Sequence, residues 1–161
     1  MQTIGRAAFE GRGPSKTLVL LGSLWALDQE LRSLSRRMER HLGVTGPQRL
    51  AIRVIGESPG VQPGALASQL HLHPSTVTGL IARLARKGLV RARRDAVDGR
   101  RIRLSLTPRG ERINRQRRGT AEFAVNRVCD EITVGQLGSA IRVLEKLRRS
   151  VASERTRTVR E

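Results

Sequence analysis

The chain has 161 residues, of which 38% are hydrophobic and only 2% aromatic, so its core must come from aliphatic side chains, and this favours helices over a β-sandwich. It carries 31 Lys and Arg against 14 Asp and Glu, a net charge of +17, which favours a polyanionic partner such as nucleic acid. No apolar run is long enough to cross a membrane, and Cys129 is the one cysteine, so no internal disulfide can form. We therefore expect a cytoplasmic protein without a membrane span.

The first part of the chain predicts a loose arm followed by a long helix. Residues 1–16 contain glycines and a proline without periodicity, so we expect a flexible arm. In residues 17–42 the apolar residues recur at steps of four and three, which places them on one face of a helix, and this stripe ends with Leu34 and Met38. Such a stripe must be buried, either by a partner chain, which we favour, or by packing within the chain. The residues of the stripe that we assign to dimerisation are Leu20, Leu24, Leu27 and Leu31.

Residues 43–107 predict a winged helix-turn-helix domain. Thr45 starts one helix, residues 63–70 form a short second helix, and residues 75–87 form a third helix after a tight turn. A short helix, a tight turn and a second helix free to lie in a groove are what helix-turn-helix geometry requires. Together with the hairpin and the last two helices, which are described next, this motif predicts the fold class. It is mainly α, with a small β-hairpin wing and with N- and C-terminal dimerisation helices.

Beyond the third helix the apolar period changes from that of a helix to that of a strand. Residues 90–94 and 101–106 predict two strands, and Asp98-Gly99 between them is a strong hairpin-loop signal. We therefore assign residues 90–106 to a wing.

The rest of the chain predicts two helices, one that starts at Thr107 and runs to about Cys129, and one that starts with a capping box at Thr133. The last helix also carries apolar residues at steps of three and four. Its residues assigned to dimerisation are Leu137, Leu144 and Leu147. We assign residues 108–152 to C-terminal dimerisation helices and expect a frayed tail over residues 153–161.

The third helix of the central domain is the predicted recognition helix. Its apolar residues cluster on one side, and small hydroxyl residues and arginines occupy the other. The residues expected to contact DNA are Ser75, Thr76, Thr78, Gly79, Arg83 and Arg86. The hydroxyl groups suit phosphate and base-edge contacts at the start of the helix, and the two arginines suit phosphate.

Positive charge is concentrated at the recognition helix and the wing. Residues 83–118 hold 14 Lys and Arg against 3 Asp and Glu. Such a run is usually a solvated surface, but this one follows a recognition helix and spans a hairpin, which favours contact with DNA. The wing residues assigned to DNA binding are Arg94, Asp98, Arg100 and Arg101.

Residues 43–110 carry a series of short motifs whose combination is specific, although each motif alone is not. They are Leu66-Ala67 with Leu70, Pro74-Ser75-Thr76-Val77-Thr78, Leu84 with Lys87-Gly88-Leu89-Val90, Arg94-Asp95, Asp98-Gly99-Arg100-Arg101 and Leu104-Ser105-Leu106-Thr107 with Gly110. Together they make the stretch similar to the multiple antibiotic resistance regulator (MarR) family. The similarity covers about 70 central residues by motif and the flanking helices by layout only.

The resemblance implies a homodimer that binds double-stranded DNA. It places the recognition helix in the major groove and Arg100 of the wing in the adjacent minor groove, where Asp95 or Asp98 would orient that arginine through an ion pair. It also implies a small aromatic or lipophilic effector bound between the dimer helices and the DNA-binding lobes. Many relatives carry a long polar residue where this chain has Gly79, so fewer residues remain here to read bases.

Three functions remain open from the sequence. The leading one is a sequence-specific repressor that binds an inverted-repeat operator as a homodimer and is released by an effector. A non-specific architectural nucleic-acid-binding protein is the alternative, because charge alone provides affinity for DNA. A protein-binding winged helix is third, and it is disfavoured because the basic residues lie on the predicted DNA-facing elements.

The sequence argues against an enzyme, a cofactor and a metal site. It contains no nucleophile elbow, phosphate loop or metalloprotease motif. His71 and His73 lie two residues apart without nearby cysteines or acidic residues, which is weak evidence for metal. We interpret Cys129 as a buried structural cysteine.

Overall fold

The computed structural model describes residues 15–157, which form seven helices and one two-stranded antiparallel sheet. Their bounds are α1 Lys16–Leu42, α2 Gly46–Glu57, α3 Pro63–Leu70, α4 Pro74–Arg86, β1 Val90–Arg94, β2 Ile102–Leu106, α5 Pro108–Arg115, α6 Ala121–Cys129 and α7 Val134–Arg157. The chain divides into two compact units between residues 121 and 122. Most of the expected arm (1–14) and the end of the expected tail (158–161) lie outside the described residues.

The predicted fold class is confirmed. Helices α2, α3 and α4 and the hairpin follow one another in winged-helix order, and each begins and ends within a residue or two of the prediction. The hairpin pairs Val90 with Leu106 and Arg94 with Ile102. Val61 adds a short bridge to Leu104 on the other edge of β2, so the wing is joined to the segment before α3.

One aliphatic core holds the helix-turn-helix and the base of the wing together. Most of its fully buried members come from α2, α3, α4 and β2, and they include Ile52, Ile55, Leu66, Leu84 and Leu104. Burying a side chain of this size contributes about 2 kcal/mol. The core therefore fixes the orientation of α4 relative to the hairpin.

The apolar stripe of α1 divides into two parts. Met38, near the end of the helix, is buried, and Ser35 accepts a 2.8 Å hydrogen bond from the Gly46 backbone nitrogen at the start of α2. The residues predicted to form the dimer lie earlier, where Leu27 is 53% exposed and only Leu24 is half-buried. The other exposed members of that set are Leu20 and Leu31.

The prediction of one long helix from Thr107 to about Cys129 is wrong. Helix α5 ends at Arg115 because the chain becomes extended at Gln116, and α6 begins only at Ala121. The buried guanidinium group of Arg49 on α2 explains the break, since it occupies the carboxyl end of α5. It donates to the backbone carbonyl oxygens of Ile113, Asn114 and Gln116.

The second unit contains α7 and most of α6. The predicted capping box is confirmed, because the Thr133 nitrogen donates to Oε1 of Gln136 at 2.9 Å and the Gln136 nitrogen donates to Oγ1 of Thr133 at 3.2 Å. Helix α7 continues to Arg157, into the segment expected to be frayed. Of the residues on α7 that the sequence assigned to dimerisation, Leu144 is exposed and two are half-buried, namely Leu137 and Leu147.

Cys129 ends α6 as a free, half-buried cysteine rather than a fully buried one. None of the helices within residues 15–157 combines the length and the hydropathy required to cross a bilayer.

Candidate nucleic-acid interface

The turn between α3 and α4 is closed by a left-handed residue. His71 has φ of 51°, and its backbone nitrogen donates to the carbonyl oxygen of Ser68. The next nitrogen, that of Leu72, donates to the carbonyl oxygen of Ala67 at 3.0 Å. This pair of bonds is a Schellman motif, which ends α3 and redirects the chain within three residues. The short helix and tight turn that helix-turn-helix geometry needs are therefore both present.

Helix α4 buries one face and exposes the other, as predicted. Val77, Leu80 and Leu84 are buried in the core. The predicted DNA-contacting residues that are exposed are Ser75, Thr76, Thr78, Arg83 and Arg86. The sixth, Gly79, is half-buried.

Gly79 is covered by Arg83, one turn further along α4. A Cβ atom at Gly79 would lie 3.6 Å from a guanidinium nitrogen of Arg83. The Arg83 side chain therefore folds back toward the start of the helix, the direction that helical side chains favour. This places its charge nearer to the hydroxyl residues than the sequence spacing alone indicates.

His73 caps the start of α4, a role that the sequence analysis missed. Its Nδ1 atom accepts a hydrogen bond from the Ser75 backbone nitrogen at 3.3 Å and lies 2.8 Å from the Ser75 hydroxyl oxygen. Pro74 follows at the first helical position, where its missing N–H costs nothing. A polar residue directly before such a proline was the available signal, although Ser, Thr, Asp and Asn are the usual caps.

The base of the wing is locked to the start of α5. Thr107 caps α5 by accepting a 3.0 Å hydrogen bond from the Gly110 nitrogen, and its hydroxyl donates to the Gly88 carbonyl oxygen at 2.7 Å. A Cβ atom at Gly110 would overlap the carbonyl oxygen of Leu89, so only glycine fits there. The Lys-Gly-Leu-Val motif (87–90) and the Leu-Thr-x-x-Gly motif (106–110) therefore contact each other.

The loop of the wing is organised by Asp95. Its carboxylate accepts hydrogen bonds from the backbone nitrogens of Val97 at 2.8 Å and Asp98 at 3.1 Å, and from the Nε atom of Arg103. These donors, the Val97 N–H first and the Arg103 side chain second, lower the pKa of Asp95 to about 2. The loop is therefore built around an ionised aspartate at neutral pH.

The predicted ion pair between Arg100 and Asp95 or Asp98 is wrong. Asp95 pairs with Arg103, which the strand register brings near it, and Asp98 pairs at 2.9 Å with Arg101, three residues later in the loop. Arg100 donates only its backbone N–H to Asp98, at 3.1 Å. Within residues 15–157 its guanidinium group has no protein partner.

Some cations of residues 83–118 bind within the protein, and others do not. Lys87 donates to the carbonyl oxygen of Gly43 at 2.7 Å and Arg109 to that of Lys87 at 3.0 Å, so both hold the fold together. The exposed arginines of α4 and the hairpin whose side chains make no hydrogen bond or ion pair to another described residue are Arg83, Arg86, Arg91, Arg93, Arg94 and Arg100. These six are available to an outside anion.

The geometry is that of a winged helix-turn-helix protein, a class that binds DNA through the second helix of the motif and the hairpin. The model of the MarR family matches residues 42–101. The chain is similar to the transcriptional regulator HosA of Escherichia coli O157:H7, with 37% identity over 96 residues, which is 60% of this chain and 67% of HosA. The chain belongs to the MarR family and is a DNA-binding transcription regulator rather than an enzyme.

Two further similarities bear on the function. The HTH-type transcriptional repressor Rv2887 of Mycobacterium tuberculosis is 28% identical over 106 residues, which cover 66% of this chain and 76% of that protein. The crystal structure of the transcriptional regulator PcaV from Streptomyces coelicolor, solved in complex with its natural ligand, aligns with a TM-score of 0.64 and 25% identity over 86% of this chain and 99% of PcaV. Both similarities cover more of the chain than residues 42–101, which the family model matches.

Proposed function

We propose that the chain is a homodimeric, sequence-specific repressor that binds an inverted-repeat operator. The observation that carries this proposal is the continuity of exposed hydroxyl groups and unpaired arginine side chains from α4 into the hairpin, two elements that share one core. A rigid scaffold that presents such groups in fixed positions is what base readout needs.

Helix α4 enters the major groove in this proposal. Ser75, Thr76 and Thr78 lie at its start and contact base edges or nearby phosphates. Arg83 and Arg86 lie further along the helix and contact phosphate. Gly79 lets the backbone of α4 and the guanidinium group of Arg83 approach the groove closely, since no side chain stands between them.

The wing enters the adjacent minor groove. Arg100 is its main contact, because its guanidinium group is exposed and the Asp95 loop holds its backbone in place. A narrow minor groove concentrates negative potential and attracts such an arginine. Arg94 contacts the DNA backbone, and the Asp98–Arg101 pair shapes the loop.

A second copy of the chain covers the leucine stripes of α1 and α7. Leu20, Leu27 and Leu31 on α1 and Leu144 on α7 are between 43% and 53% exposed, although they repeat with helical periodicity. Apolar stripes of this length are costly to leave in water, and a two-fold partner buries them. A two-fold dimer also explains why the operator would be an inverted repeat.

The regulatory output proposed is repression that a small aromatic or lipophilic effector relieves. Rv2887 is named a repressor, and PcaV binds a natural ligand, so relatives of this chain have both properties. The alternative is a non-specific architectural protein without an effector, which the net charge of +17 favours.

Selection from a pool of random DNA duplexes with the full chain separates these functions. The proposal predicts enrichment of an inverted repeat whose half-sites are centred about 10 base pairs apart. An architectural protein would enrich no motif, and that result would replace the proposed function.

A further inference from the structure

His73 and Ser75 form a hydrogen-bonded pair at the start of α4, on the face proposed to enter the major groove. Nδ1 of His73 lies 2.8 Å from Oγ of Ser75 and 3.3 Å from the Ser75 backbone nitrogen. Both side chains are exposed. The pair therefore lies where bases would meet the protein.

The backbone contact determines which ring nitrogen carries the proton. A backbone N–H can only donate, so Nδ1 of His73 accepts and the neutral ring carries its proton on Nε2. The Ser75 hydroxyl, which faces the same Nδ1, must then donate its single proton to the ring. Its two lone pairs remain for a donor outside the protein.

We propose that His73 is a positioning residue that makes Ser75 a hydrogen-bond acceptor toward DNA, so that Ser75 selects adenine or cytosine at the base it faces. This inference rests on the proposed function. In the major groove the exocyclic amines of adenine and cytosine donate, whereas the facing atoms of guanine and the carbonyl of thymine accept. Phosphate oxygens also only accept, so a hydroxyl held in this way favours a base edge over the backbone.

The other hydroxyl groups of α4 are held differently. The Thr78 hydroxyl donates to the Pro74 carbonyl oxygen at 3.0 Å, inside the helix. The Thr76 hydroxyl makes no hydrogen bond to any residue of the described chain, so it can rotate to donate or to accept. Among these three residues, Ser75 is the one whose polarity toward DNA is set by another side chain.

The test repeats the random-duplex selection with the full chain and its variants. We expect the parent to enrich adenine or cytosine at one position of each half-site, and Ser75→Ala to lose that preference by about three- to ten-fold, the effect of one hydrogen bond. His73→Ala should reduce it to a similar extent and admit guanine or thymine, because the freed hydroxyl can donate. The double variant should match Ser75→Ala.

Two control variants test whether the preference depends on an acceptor at position 73. His73→Asn supplies another acceptor and a good helix cap, so it should keep the preference. His71→Asn removes the neighbouring imidazole at a left-handed position that asparagine tolerates, and it should change nothing. Replacing the preferred base by its analogue without the amine, purine for adenine or 2-pyrimidinone for cytosine, should weaken binding of the parent but not of Ser75→Ala.

The inference is overturned if His73→Ala weakens binding to all duplexes equally and leaves the base preference unchanged, since His73 would then only cap the helix. A parent that enriches no motif at all would instead contradict the proposed function, and with it this inference.

Discussion

The guanidinium group of Arg49 donates a 2.5 Å hydrogen bond to the backbone carbonyl oxygen of Gln116, a residue 67 positions later in the chain. Arg49 is 1% exposed, and it also donates to the carbonyl oxygens of Ile113 and Asn114. A cation at the carboxyl end of a helix is favourable both as a hydrogen-bond donor and through the helix dipole. The end of α5 is therefore fixed by α2.

Arg49→Met should lower the free energy of unfolding by about 3 kcal/mol, because it removes three hydrogen bonds of a buried charged donor at the end of α5. Arg49→Lys keeps the charge but not the three-way contact, so it should lose less. The same change at the exposed Arg112 of α5 serves as the control and should stay within about 0.5 kcal/mol of the parent. Urea unfolding measures all three, and an Arg49→Met variant as stable as the control would contradict the role of Arg49.

The contact between Arg49 and the end of α5 could not be predicted from local sequence signals. Elements with local signals were predicted well: Pro63 starts α3, Gly88 follows α4, and Asp98-Gly99 lies in the hairpin loop. The break after α5 depends on Arg49, which lies 67 residues before Gln116. The local sequence pattern therefore predicted a helix that runs through the break. Only Gly119, which has φ of 75°, signalled it locally.

The site was predicted in part for a similar reason. Which residues of α4 face outward follows from helical periodicity alone. Which arginine pairs with Asp95 depends on the register of β1 and β2, which brings Arg103 rather than Arg100 to it. The cap at His73 was missed because histidine is an uncommon cap and its role depends on the ring orientation.

The pKa of Asp95 predicts how the wing responds to acid. The folded wing holds this pKa at about 2, below the value of about 3.9 in an unfolded chain. A lowered carboxyl pKa stabilises the fold above the unfolded value, and that stabilisation is lost as the pH falls from about 3.9 through 2. The backbone amide signal of Val97, followed by NMR from neutral pH downward, should therefore shift with a midpoint near 2.

Asp95→Asn supplies the control for that titration. Its side-chain oxygen can still accept from Val97, but it has no proton to lose, so the shift with a midpoint near 2 should disappear. A midpoint near 4 in the parent would mean that the Asp95 contacts do not form in solution.

Arg100 and Arg101 should differ in their contribution to DNA affinity although they are neighbours. Arg100→Ala removes an unpaired guanidinium group, so it should weaken binding to most duplexes by about ten-fold. It should also reduce the slope of log affinity against log salt concentration by about one, since one fewer counterion is released. Arg101→Ala removes a group already bonded to Asp98 and should cost less. Binding titrations at several salt concentrations compare the two, and equal losses, or none at Arg100, would refute the wing assignment.

The proposed dimer predicts a further difference between two nearby positions of α1. Leu27→Arg places a charge on the exposed leucine stripe and should convert the dimer to a monomer with at least about ten-fold weaker operator binding, because the two half-sites are then no longer bound together. Gln29→Arg adds the same charge to α1 off the stripe and should leave the dimer intact. Sedimentation velocity distinguishes the two states, and a Leu27→Arg variant that sediments as the parent does would show that the stripe is not the interface.

The central claim, sequence-specific DNA binding, is tested most directly by fluorescence anisotropy with DNA from upstream of the protein's own gene and a scrambled duplex, across a series of salt concentrations. We expect the upstream duplex to stay bound at salt concentrations that abolish binding of the scrambled one, because base contacts do not depend on counterion release. Equal affinities that fall together as salt rises would show that the arginines recognise only phosphate, and they would contradict sequence-specific binding.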